Sequence, residues 1–391
     1  MAQTKEQLTI TVLPQGNVET RVLVVTFPHE STDRITQHYQ SVRNIPDTHV
    51  LHIPHDDINS RASWDHVFDD YVVPVQQKLD ELGPKNIHYI VLVNPSRTIK
   101  YYEQNNGEKR VSTCSFTAVI YTLRKDLQYY NRNNPYWQKS YGNTFRKPWE
   151  RFNHQRGIYH MVSALEGDLA IQQINNSVIE PTEGIDFVDS RYGNIMHIVD
   201  IDKYPDNRHY SYMDMDYKHC CLAKYFEEIG KTDYIWHNHG WTYGDVYGVK
   251  ESKLKKLNDM LENASLYTQS QLDSAQRAYD KVKDIEEPPI KTKMWLGWYD
   301  GTYNDAWIWQ PKSLWSQVHS GNRAAFDAVK AGCCFVTMPM FEPYTSGVCQ
   351  PAEIGYYVVN GYTYGEAVLY SIPGFLWAYH CTGDPLTQRE V

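Results

Sequence analysis

No apolar run in the 391-residue sequence is long enough to cross a bilayer, and its opening residues, MAQTKEQLTITVLPQGN, carry no apolar stretch behind a basic start. Neither a membrane span nor a secretory signal is therefore expected. Also missing is any C-x-x-C pair. The seven cysteines, Cys114, Cys220, Cys221, Cys333, Cys334, Cys349 and Cys381, form an odd set with two adjacent pairs. That spacing argues against a zinc ribbon and a disulfide framework, and leaves buried free thiols in a reducing compartment. Excess positive charge is absent as well, since the formal net charge is -9. Nucleic acid is thus an unlikely partner, because phosphate binding needs concentrated Lys and Arg. Without G-x-G-x-x-G, a G-x-x-x-x-G-K-[ST] loop or G-x-S-x-G, the chain shows no nucleotide or serine-hydrolase motif and implies no cofactor. The expected location is the cytoplasm or a virus particle.

What is present in quantity is aromatic surface, with 31 Tyr and 11 Trp. Such side chains suit either an aromatic-rich core or extensive protein and sugar contacts. The run RVLVVTF (21–27) is apolar throughout, the pattern of a central parallel strand covered on both faces. Helical spacing at Ile35, Tyr39 and Val42, a strand at 48–53, a long apolar stripe from Trp64 to Leu82 kinked at Pro74, and IHYIVLV (87–93) complete a β-α-β-α-β order. Further strands are expected at 195–201, 233–237, 293–301 and 332–338, with helices at 218–230, over a broken stretch 250–283, and from Tyr364 behind the capping-box pattern TYGE. The fold class is α/β, a mainly parallel sheet flanked by helices, with any site at the carboxyl ends of the strands. Three parts follow: 1–123, an aromatic and basic insertion over 124–190, and a second α/β part over 191–391. Within 124–156, eight Lys or Arg stand against two acids and eight aromatics. That composition fits either an insertion packed on a neighbouring domain or subunit, or a sugar- or peptide-binding arm whose rings, Trp137 and Trp149 among them, stack on a sugar or base while its cations meet phosphate.

HNHGWTYG (237–244) is the chief chemical candidate. His237 and His239 alternate at a strand end, so both rings can face one side and share a metal. Alternatively, His239 before its glycine acts as a general base for a cysteine on the neighbouring strand, or both histidines simply cap a buried strand.

The order of four segments resembles the gingipain-like cysteine peptidases, which have a caspase-type α/β fold, and an uncharacterised bacterial family related to them. The segments are RVLVVTFPHESTDRITQHYQSVRNIPDTHVLHI with YIVLV, HNHGWTYGDVYG with KESKLKKL, AGCCFVTMPMFEPYTSG, and NGYTYGEAVLY with GDPL. This resemblance implies a catalytic histidine at His239 and a nucleophilic cysteine at the end of the next strand, within WLGWYDGTYND (295–305). Trp298, Tyr299 and Asp300 stand there instead, and none can form a thiolate. A non-catalytic structural or interaction protein on a degenerate peptidase-like fold is therefore expected, as a subunit of a larger assembly such as a virus or phage particle. Its partners would be proteins or its own copies, with Trp298, Tyr299 and Glu342 lining a vestigial cleft. The alternative is a hydrolase in which His239 works with Asp300 on a water, with a thiol from elsewhere, or with a metal held by His237 and His239.

Overall fold

A computed structural model describes residues 21–54, 62–84, 86–105, 108–123, 160–189, 212–237, 257–280, 290–298, 307–318, 323–340, 348–373 and 379–390. The continuous apolar run becomes β1 (Val22–Thr26), buried at every position, with β2 (Val50–His52) and β4 (Tyr89–Val93) parallel on its two sides. Between β1 and β2 lies α1 (Thr32–Arg43), which turns Ile35, Thr36 and Tyr39 inward one helical turn apart. The long apolar stripe folds as α2 (Trp64–Val67), a π turn over Phe68–Val72, and α3 (Val73–Leu82). Its irregularity is the π turn. Pro74 directly follows this π turn in one unbroken helical run, so the expected irregularity at the proline takes the form of a widened turn just before it, since proline lacks the N–H and crowds the preceding turn.

A short β3 (Ala62–Ser63) joins the hairpin of β5 (Thr98–Asn105) and β6 (Glu108–Ser115) in a separate three-stranded sheet. After α4 (Phe116–Thr122), the chain supplies β7 (Met161–Leu165), α5 (Leu169–Ser177) and β8 (Ile185–Asp189). Residues 160–189, grouped by composition with the insertion, thus build the main sheet: β7 lies beside β4, and β8 between β9 (Tyr234–His237) and β10 (Ile290–Trp298). The remaining elements are α6 (Tyr212–Glu228), α7 (Gln269–Asp280), β11 (Trp307–Val318), α8 (Arg323–Lys330), β12 (Phe335–Pro339), α9 (Pro351–Val359), α10 (Tyr364–Ser371) and β13 (Tyr379–Thr382). The expected capping box is present, with Thr363 Oγ1 accepting from the Glu366 amide and Glu366 Oε2 accepting from the Thr363 amide. No described helix is long and apolar enough to cross a membrane.

The ten strands of the main sheet lie in the order β2-β1-β4-β7-β13-β12-β11-β10-β8-β9. Every neighbouring pair is parallel except β12 and β13. The sheet therefore consists of two parallel halves pointing in opposite directions. Counted along the chain within each half, both read 2-1-3-4-5, and they meet edge to edge at the antiparallel seam. Strand carboxyl ends of the first half consequently lie at the opposite end of the sheet from those of the second.

Much of the aromatic content is spent inside. Trp295 and Trp315 stack at 5.7 Å between centroids, and Phe187 meets Trp307 edge-on at 4.9 Å. Together with Val329, Val336 and Met338 they form a core of the second half. The segment Gly383–Glu390 fastens the two halves together. Gly383 has φ +128°, and a Cβ there would stand 2.6 Å from the Cys334 carbonyl oxygen, so the turn needs glycine. Asp384, wholly buried, accepts from Tyr39 Oη at 2.8 Å, Arg43 Nε at 2.7 Å, Ser177 Oγ at 2.8 Å and the Leu386 amide at 3.0 Å. Five residues on, Arg389 grips the buried Asp186 of β8 with two nitrogens at 2.9 and 3.0 Å.

Acid should weaken this interior. His160 is buried just before β7, with Nδ1–H donating to the Ile87 carbonyl at 2.8 Å, and burial pushes its pKa from 6.5 down to about 4. Between those values the unfolded chain binds a proton that the folded chain does not, so stability falls as pH drops through that window, by about 3 kcal/mol in all. Denaturant midpoints measured from pH 6.5 to pH 4 should decline, and less steeply in His160→Gln; equal slopes in the two proteins would refute the assignment.

Candidate functional site

Parallel strands deliver functional side chains where they exit, so each half offers one edge. In the second half the exits of β8, β9 and β10 end at Asp189, His237 and Trp298, and Asp189 pairs directly with His237. Because β8 lies between β9 and β10, the two exits are two strand spacings apart, about 10 Å. A base carried out on β9 and a nucleophile carried out on β10 are therefore not on neighbouring strands, contrary to the expectation from chain order. His239, Tyr299, Asp300, Glu342, Trp137 and Trp149 lie outside the described residues, as do the side chains of His237 and Trp298.

Six of the seven cysteines are buried, as expected, and Cys221 is half-buried. Burial pushes Cys114, Cys333 and Cys349 well above the ordinary thiol range, and Cys334 and Cys381 up to about 12. Cys333, Cys334 and Cys381 spend their S–H groups on the carbonyls of Phe335, Gln173 and Val162. Thiolates, the reactive form, are disfavoured at all five. Among the described residues no group of three His, Cys, Asp or Glu side chains is placed to hold a metal ion.

The exit edge of the first half is described except for 55–61 after β2, and it carries several polar groups. At the crevice between β1 and β4, where the strand order reverses, the loop after β1 brings His29 Nδ1 within 2.8 Å of Ser31 Oγ. Asn94, the residue after β4, has φ +52° and donates from Nδ2 to Ser31 Oγ at 3.2 Å and to Thr32 Oγ1 at 3.0 Å. Its Oδ1 accepts the Gly167 amide at 2.8 Å, which joins the exits of β4 and β7. Beyond it, Glu166 accepts from Arg97 Nε at 2.7 Å, while its other oxygen lies 3.2 Å from Nε2 of the wholly buried His380. That contact is close but poorly aligned, and neither atom has another hydrogen-bond partner among the described residues. Nδ1 of His380 meets Thr117 Oγ1 at 2.7 Å. Burial alone would raise the Glu166 carboxyl, but His380 and then Arg97 overrule it and hold it below its ordinary value. At the rim, Arg34 pairs with Asp168, and the Arg97 guanidinium lies 3.8 Å above the ring of Phe326 in α8, a contact across the two halves.

None of these residues is marked by sequence motif. PHESTD reads as an ordinary turn, and only its place between a buried strand and a helix, with His two residues before Ser, hints at more. No family model, curated protein or solved structure matches the chain.

Proposed function

We propose that the protein is a structural or interaction protein on a degenerate caspase-type scaffold, working without thiol-peptidase chemistry as one subunit of a larger assembly. The observation that supports this is the strand order at the second exit. With β8 interposed between β9 and β10, the strand ends at His237 and Trp298 are two strand spacings, about 10 Å, apart, and the sequence that continues from β10 reads Trp298, Tyr299, Asp300 with no cysteine. Protein partners or further copies of the chain are the occupants such a scaffold serves.

Two measurements on the full chain test the proposal. An acyloxymethyl ketone probe for cysteine peptidases is expected to leave the native protein unmodified by intact mass, and sedimentation velocity is expected to show species larger than one chain. A thiol adduct that forms in the native protein and disappears in His239→Ala would overturn the peptidase-free role. A strictly monomeric protein at high micromolar concentration would overturn the self-assembling version of it.

A further inference from the structure

At the opposite end of the sheet, the first half places a serine in an unusual setting. A serine at a helix N-cap ordinarily turns its hydroxyl onto the amides of the first helical turn. Ser31 occupies that position for the twelve-residue α1, yet its side chain caps nothing. Its hydroxyl meets His29 Nδ1 instead, at 2.8 Å. The same ring nitrogen accepts the Ser31 backbone N–H at 3.2 Å, so Nδ1 is an acceptor and the Ser31 O–H donates to it. The imidazole is thus in the tautomer that can take the serine proton.

The surroundings supply the other parts of a nucleophilic site. Ser31, at φ -93° and ψ -4°, is the third residue of a turn closed by the Thr32 amide on the His29 carbonyl at 3.1 Å, and Asn94 opposite it has a left-handed φ of +52°. Asn94 Nδ2 donates to the serine oxygen, and its own position is fixed through Oδ1 by the Gly167 amide. With no side-chain cap, the amides of Asp33 and Arg34 in the first turn of α1 have no carbonyl within the helix to bond, and a helix N-terminus of this kind favours negative charge. His29 is exposed, whereas Ser31 is 5 % exposed, so the base lies at the surface and the hydroxyl just beneath it. Two cations at the rim, Arg34 and Arg97, are already paired with Asp168 and Glu166, which leaves neither of these guanidinium groups to select an anionic substrate.

We propose that Ser31 and His29 are a nucleophile and base that hydrolyse small, uncharged esters at the β1/β4 crevice. Ser31 Oγ bonds to the ester carbonyl carbon as its proton passes to His29 Nδ1, and the alcohol leaves carrying that proton. Water, losing a proton to the same nitrogen, then displaces the acyl group as a carboxylic acid and restores the serine hydroxyl, so one ester and one water give one acid and one alcohol. The assignment is independent of the interaction role above, which concerns the exit of the second half and is read by a thiol probe rather than a serine probe.

The test uses the full chain with p-nitrophenyl acetate and a fluorophosphonate. The expected result is one phosphonyl adduct, mapped by peptide mass to Ser31, together with ester turnover that is lost in Ser31→Ala. In His29→Gln, which keeps a polar side chain of similar reach, turnover should fall by about 100-fold or more while the circular dichroism spectrum and melting temperature stay unchanged. Absence of an adduct at Ser31 in folded protein, or turnover that survives Ser31→Ala, would overturn the proposal. So would a folded His29→Gln protein with undiminished turnover.

Discussion

Asp384→Asn is expected to lower stability by about 3 kcal/mol, read as a lower urea midpoint at neutral pH. The carboxylate is wholly buried and receives hydrogen bonds from Tyr39, Arg43, Ser177 and its own turn. Asparagine keeps the volume but removes the charge that Arg43 faces, and turns one acceptor atom into a donor directed at other donors. Removing one member of a buried pair generally costs more than the pair contributes, because its partner stays buried and unmatched. Tyr39 provides a control. Its hydroxyl is one of several donors to Asp384, so Tyr39→Phe should cost about 1 kcal/mol. Equal losses in the two variants would show that Asp384 does not act as the centre of the cluster.

Arg389→Leu should cost a similar amount, about 3 kcal/mol, at the other end of the same segment. Here the unmatched group is Asp186, fully buried in β8, which among the described side chains would keep Lys231 at 3.0 Å. Lys231 is itself shared with Asp233, and Asp233 also binds Lys293, so the remaining charges have little freedom to compensate. The informative comparison is a double-mutant cycle. Asp186→Leu combined with Arg389→Leu removes both charges and leaves Lys231 its contact with Asp233, so the double variant should be more stable than the sum of the single losses predicts, by at least about 1 kcal/mol. Additive losses would mean that the bidentate contact is not the coupling between segment and sheet.

Where the sequence repeats a simple period, it foretells the fold well. β1 is recognisable from its unbroken apolar run, α10 from its capping box, and the end of α6 from Gly230, which has φ +72°. The strands that escape notice break the pattern for identifiable reasons. β11 carries Pro311 and Lys312 in its middle, which argues against a central strand. The structure accommodates them with a left-handed Lys312 at φ +51° and a register shift opposite, between Thr292 and Met294. β7 and β13 are short and interrupted by Ser163 and His380, polar residues whose burial is visible only once their neighbours are in place. The candidate sites divide in the same way. HNHGWTYG stands out by composition, whereas the link from Ser31 to Asn94 joins residues 63 positions apart and has no local signature. The doubled 2-1-3-4-5 order is likewise invisible in the residues, since it depends on which strands meet and the two halves share no repeated sequence.

The seam also sets a timetable for synthesis. β13 completes the first half, although it is made only after all the strands of the second half, and Arg43 in α1 finds its carboxylate 341 residues downstream. At about 5–20 residues per second, a ribosome needs on the order of tens of seconds between β7 and β13. Throughout that interval the first half has an uncovered flank on β7 and a helix lacking its ionic partner. That flank closes when β13 pairs with β7 on one side and with β12 on the other.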